Sequence, residues 1–147
     1  MNWADSILYN IRYKKFVSKS DVDDKYLSTV VKTFLAEDDR FYLTEQKKFS
    51  FSSLINGSIG IHIGVNNGES SRYTTFTAKI YDSSQNMVGS GKYTFDLTNG
   101  YHGLMFDFPV TAFETYTISI ASTTTDSYIS NTYLFGKIED KPELYIE

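Results

Sequence analysis

Apolar and polar positions change rhythm along this chain. Val22, Tyr26, Leu27, Val30, Val31, Phe34 and Leu35 recur at three- and four-residue spacing and draw a single apolar stripe. That spacing predicts a helix over about residues 21–36. Ser20 stands where an N-cap belongs, and Asp21, Asp23 and Asp24 suit the positive end of the helix dipole. Further upstream, Ile7, Tyr9, Ile11 and Tyr13 alternate with Leu8, Asn10 and Arg12, while Ile7, Leu8 and Ile11 fit a helical face equally well. Residues 1–20 therefore stay open between strand and helix.

From Lys48 onward the period is two, as in Lys48-Phe49-Ser50-Phe51-Ser52 and in Ile59-Gly60-Ile61-His62-Ile63-Gly64-Val65. Similar runs cover 73–81, 87–97, 101–108, 116–121 and 128–138, and each ends in turn residues such as Asn66-Asn67-Gly68, Asn99-Gly100 or the stretch from Thr123 to Asp126. No crossover helix fits between such closely spaced strands, so the sheets are expected to be antiparallel. The expected architecture is mainly β: an antiparallel β-sandwich body over 45–147, strands ending near 140, preceded by an N-terminal arm over 1–44 with one amphipathic helix. Gly89-Ser90-Gly91 reads as a bulge or bend, and Pro109 as a strand end or an edge position. Phe76, Ile80, Phe95, Leu97, Phe106, Phe108, Phe113, Ile118, Ile120, Leu134 and Ile138 are the expected core. The tail from Asp140 to Glu147 reads either as a last edge strand or as an extended peptide docked on a neighbour.

Charge divides at the same place as the rhythm. Residues 1–48 hold nine Lys/Arg and eight acids, whereas 49–147 hold five and ten, so the arm is near neutral and the body carries the acidity. A net charge of −4 gives no basic footprint for nucleic acid. Nowhere do 18 consecutive apolar residues occur, so membrane insertion through a spanning helix is not expected. The segment Met1–Phe16 lacks a basic region followed by an apolar core and does not read as a signal peptide. With no cysteine there is no disulfide framework, thiolate metal site or cysteine nucleophile.

Candidate chemistry is sparse. His62 and His102 have no second metal ligand at short spacing, His62 alternates with isoleucines as a residue on the solvent face of a strand would, and neither a cofactor nor a metal is expected. Asp21-Val22-Asp23-Asp24 lacks the glycine and terminal glutamate of a calcium loop, and Glu37-Asp38-Asp39-Arg40 reads as a solvated helix exit. No nucleophile elbow or phosphate loop is present, so no catalytic residue is assigned and the chain is not expected to be an enzyme. Twelve tyrosines exceed what the core needs. Tyr73, Tyr101, Tyr128 and Tyr133 fall near strand ends and His102 in a glycine-flanked loop, which makes these five the candidate contact residues. The stripe residues Val22, Tyr26, Val30 and Phe34 are candidate oligomer contacts, because an apolar helix face must cover either its own sandwich or a neighbouring subunit.

The run from Tyr73 to Leu97, followed by Phe106-Asp107-Phe108-Pro109 and Tyr116-Thr117-Ile118-Ser119-Ile120, resembles the strand-turn-strand texture of small β-sandwich proteins of siphophage tail tips and baseplates. These include the small proteins encoded after the tail lysin in Bacillus siphophages, and the fold is similar to the shoulder domain of lactococcal phage receptor-binding proteins. The resemblance implies a non-enzymatic virion component made in the host cytoplasm, a homo-oligomer with other phage tail proteins as partners, working in assembly or host attachment. It carries no motif residue by residue. The competing expectation is a carbohydrate-binding module that contacts host cell-wall polysaccharide through Tyr and Asn side chains on its loops.

Overall fold

The structure is a computed structural model that describes residues 30–70 and 72–137. Lys32–Phe135 form one compact unit. The strands are β1 (Val30–Leu35), β2 (Phe41–Tyr42), β3 (Lys47–Ser52), β4 (Gly57–Asn66), β5 (Tyr73–Tyr81), β6 (Met87–Asp96), β7 (Tyr101–Val110), β8 (Thr115–Ser122) and β9 (Tyr128–Lys137). They build two sheets, one in the order β1-β9-β4-β7 with β2 also pairing with β9, the other in the order β3-β8-β5-β6. β2–β9, β3–β8, β4–β7, β5–β6 and β5–β8 pair antiparallel, as the strand spacing predicts. From β3 onward every connection changes sheet except the β5–β6 hairpin, which is the strand order of a jelly roll.

Period two explains the local structure directly. β5 buries Thr74, Phe76, Ala78 and Ile80 and turns Tyr73, Thr75, Thr77 and Lys79 outward, and β8 likewise buries Tyr116, Ile118 and Ile120. The outward rows of the second sheet are paved with hydroxyls that bond across strands, Thr75 to Thr94 at 2.9 Å and Ser52 to Thr115 at 3.0 Å. β4 is different, because it is buried on both faces from Ile59 to Val65. Its isoleucines face the core, while Gly60, His62 and Gly64 lie under aromatic rings on the other side. Phe135 occupies the space a side chain at Gly60 would need, and Tyr101 lies 3.2 Å from where a Cβ of Gly64 would stand. His62 is therefore buried, not solvent-facing: it stacks on Tyr133 with ring centroids 4.9 Å apart.

Several expectations are corrected. The last turns of the helix expected over 21–36 are strand β1; residues 21–29, and with them Val22 and Tyr26, lie outside the described residues. The segment Val30-Val31-Lys32-Thr33-Phe34 is rich in β-branched and aromatic residues, and strand pairing beside β9 suits them better than a helix does. Phe34 stacks on Phe49 of β3 at 4.6 Å, so this ring is engaged within its own chain instead of waiting for a neighbour. Val30 begins the same strand. The division expected between 44 and 45 falls inside the compact unit, because β1 and β2 are strands of the first sheet and Phe34, Leu35 and Phe41 pack against its core. Leu97 and Phe113, expected inside, are 52% and 83% exposed because both belong to turns. β6 runs unbroken through Gly89-Ser90-Gly91, and the register shift lies just before Gly89, between the pairs Ile80–Gly89 and Tyr81–Met87. The two glycines make room for Phe108 and Phe106. Pro109 sits on β7, which closes one edge of its sheet, as expected.

Candidate functional site

Asn66 at the end of β4 pairs with Tyr101 at the start of β7. At this pole the segments 36–40, 67–70, 97–100 and 123–127 converge. Asn67, buried to 3% exposure, ties them together. Its main-chain N–H donates to the Gly100 carbonyl at 2.9 Å, its side-chain amide donates to the Leu97 carbonyl, and its Oδ1 accepts from the Thr74 hydroxyl at 2.6 Å and the Gly68 N–H at 3.0 Å. The Asn99 N–H returns a bond to the Gly68 carbonyl at 3.1 Å. Asn99, at φ +55°, makes the turn that allows it.

Asp126 fastens the last of these loops. Its Oδ2 accepts the Ser70 hydroxyl and the Ser70 N–H, the latter at 3.0 Å, and these two bonds hold its carboxyl below the usual carboxylate range. Among the described residues, the buried Oδ1 has no hydrogen-bond partner. The carboxylate packs against Gly68, where a Cβ would run into it and stand 2.7 Å from the Asp126 carbonyl oxygen. On the other side, the Asn131 N–H donates to the Ala36 carbonyl at 2.9 Å, and Asn131 takes φ +44°. The Asn131 carbonyl accepts from His62 Nδ1 at 2.8 Å, which puts the proton of a neutral imidazole on Nδ1. His62 thus holds the irregular turn of β9 in place.

Two adjoining depressions result, of about 440 and about 420 Å³. Arg40, Asn66 and Tyr128 line both. Tyr42, Asn67, Gly68, Glu69, Ser70, Asn99, Gly100 and Asp126 complete the first among the described residues; Glu37, Asp38, Asp39, Tyr101, Ser130 and Asn131 complete the second. The Arg40 guanidinium lies 4.6 Å from the centre of the Tyr128 ring, and Tyr42 stands 5.2 Å from Tyr128. A hydrogen bond to Tyr42, together with the nearby Tyr128 phenol, raises the Arg40 pKa above its ordinary value. Tyr42 and Tyr101 expose about half their surface, 47% and 56%. The arrangement can bind a ligand through ring faces, amides and carboxylates. Among the described residues no three His, Asp or Glu side chains gather as a metal centre would require.

Of the five residues expected to make contacts, the structure brings two together, Tyr101 and Tyr128. His102 stacks on Tyr93 at 3.7 Å, bridging the sheets at the β6–β7 edge. Tyr133 lies on His62 on the outer face of the first sheet, and Tyr73 stands on β5 beside Arg72, 5.5 Å from its guanidinium. Glu37-Asp38-Asp39-Arg40 is not a helix exit but the β1–β2 connection, and it walls the second depression. Tyr42, Asn66, Asn67, Asn99 and Asp126 were not among the candidates; the signal for the last four was the turn composition of Asn66-Asn67-Gly68, Asn99-Gly100 and Thr123–Asp126, which specifies turns whether or not they meet, and Tyr42, on β2, carried none.

No protein-family model matches the chain, and no curated protein sequence does. Solved structures do. A family GH115 4-O-methyl-α-glucuronidase with specificity for decorated arabinogalactans is 12% identical with a TM-score of 0.50, over 74% of this chain and 17% of that one. This chain thus spans about a sixth of that enzyme's length. A CBM4 structure is 13% identical with a TM-score of 0.50, over 74% of this chain and 77% of the other. The enzymatically active domain of tailspike protein 4 of bacteriophage CBA120 is 13% identical with a TM-score of 0.43, over 74% of this chain and 18% of that one. At these identities the first two likenesses establish a shared fold.

Proposed function

We propose that this chain is a non-catalytic carbohydrate-binding module and that the cleft between the four converging loops is its binding site. The observation that carries this reading is the composition of the cleft wall. Tyr42 and Tyr101 supply exposed ring faces, Tyr128 carries the Arg40 guanidinium between them, and Asn66, Asn99 and Arg40 supply planar donors and acceptors around them. A sugar ring needs that combination, since it has an apolar face and a rim of hydroxyls that each must find a partner. The shared fold with a CBM4 structure agrees with it. Binding without cleavage suits Asp126, which is held ionised by Ser70 and so is poorly placed to donate a proton to a leaving group.

Host attachment through a surface polysaccharide would need a binding site of this kind and no catalysis, so a tail-tip or baseplate setting is compatible with the proposal. Its support is the sequence resemblance alone. The proposal is tested by affinity electrophoresis of the full chain through gels that contain soluble cell-wall or plant polysaccharides. Retardation by at least one polymer, abolished in Asn66→Ala with Tyr128→Ala, is expected. A double variant retarded as strongly as the wild type would move the site elsewhere, and no retardation by any polymer would remove the function.

A further inference from the structure

We infer that the cleft takes a linear glycan across two subsites, and that it selects uncharged or amine-bearing chains over anionic ones. This rests on the glycan-binding reading. The two depressions are continuous in their walls, sharing Arg40, Asn66 and Tyr128, yet each has an exposed tyrosine of its own, Tyr42 in the first and Tyr101 in the second. The face of Tyr128 between them is covered by the Arg40 guanidinium. A sugar ring therefore finds an open ring face on either side of the Arg40–Tyr128 ridge, not on it. A ligand that uses both faces must be a chain long enough to cross that ridge, where Arg40 and Asn66 offer donors to its hydroxyls.

Charge supplies the selectivity. Among the described lining residues, Glu37, Asp38, Asp39, Glu69 and Asp126 contribute five carboxylates against the single guanidinium of Arg40. Their field acts on any ligand within a screening length of about 8 Å at physiological salt, which covers a sugar ring seated in either depression. A uronate chain brings a negative charge on every ring into that field, and like-charge juxtaposition is how an interface rejects a wrong partner.

The test is isothermal titration calorimetry of the full chain with three ladders of one to six rings: N-acetylglucosamine oligomers, their de-N-acetylated counterparts, and galacturonate oligomers, with xylo- and gluco-oligosaccharides as further neutral series. Affinity is expected to rise about tenfold or more between one and four rings, a difference of one decade in Kd. Tyr42→Ala and Tyr101→Ala should each flatten that rise, and since both rings are exposed their circular dichroism should match wild type. The galacturonate series should bind at least about tenfold more weakly than the best neutral or amine-bearing series at low salt. A single ring that binds as tightly as four, tyrosine variants that keep the full length dependence, or galacturonate oligomers that bind as well as neutral ones would each overturn the inference while leaving glycan binding in place. Failure of every ladder to bind, while polysaccharides retard the protein, would also overturn it; failure of both would remove the function beneath it.

Discussion

Asn67 and Asp126 show how single side chains build a site from loops that have no regular structure. A buried amide whose donors and acceptors are spent on Leu97, Thr74 and Gly68 costs about 1–3 kcal/mol for each partner it would abandon, so one side chain ties its own loop to the 97–100 turn and to β5. Gly68 is required next to it, because any Cβ would run into the Asp126 carboxylate and backbone, and the backbone cannot step aside. Asp126 makes the pole sensitive to acid. A carboxylate whose pKa is lowered on folding stabilises the fold above its unfolded pKa, about 3.9, and that contribution vanishes as the pH falls through the lower folded value. Asp126→Asn is accordingly expected to lower the unfolding free energy from urea titration at pH 7 by about 1 kcal/mol, for the weakened Ser70 bonds. The gap to wild type should close below about pH 4. A gap that stayed constant from pH 7 to pH 3 would show that Asp126 acts through shape and not charge.

At the scale of elements, the two sheets are built to different rules although both alternate. The second sheet has one dry face and one hydroxylated face, and its outward Ser and Thr rows bond across β3–β8 and β5–β6. Such pairs are individually small. A double-mutant cycle of Thr75→Val and Thr94→Val should yield a coupling of about 0.2–1 kcal/mol in thermal or urea unfolding, in the stabilising direction. Zero coupling would mean that the hydroxyl ladder is incidental to β-branched packing. In the first sheet β4 has neighbours over both faces, and Gly60 and Gly64 are positions where aromatic rings from β9 and β7 lie down on the backbone. His62 can be buried there only because Asn131 offers its carbonyl, which links the centre of the sheet to the wall of the cleft.

Across the whole molecule the two ends of the sandwich differ. The cleft lies where Asn66 meets Tyr101; at the other end of the same ladder Gly57 meets Val110, and the next turn holds Phe113 at φ +68° with its ring 83% exposed. A bulky residue there is strained and buries little in return. Phe113→Gly is expected to raise stability by about 1 kcal/mol, a few degrees in Tm, and to leave glycan affinity unchanged, because the substitution is a full strand length from the cleft. A fall in affinity would show that the two ends are coupled.

Strand positions and the antiparallel sandwich were legible in the sequence because period two is a local property: Thr74-Thr75-Phe76-Thr77-Ala78 has to place alternate residues on opposite faces wherever the strand goes. The aromatic surplus was legible from composition, but composition could not say which of Tyr73, Tyr101, His102, Tyr128 and Tyr133 share a surface; the fold brings Tyr101 and Tyr128 to one depression and the other three elsewhere. Period alone misread 30–35, where β-branched residues in an i, i+3, i+4 pattern fit two structures and the free edge beside β9 decided between them. It could not place Leu97 or Phe113, since burial depends on whether a turn lies under a second layer. Nor could it assemble the cleft. Arg40, Asn66, Asn99 and Asp126 are up to 86 positions apart and meet only because a jelly-roll order returns four connections to one pole, a fact that belongs to strand order and is written in no local pattern.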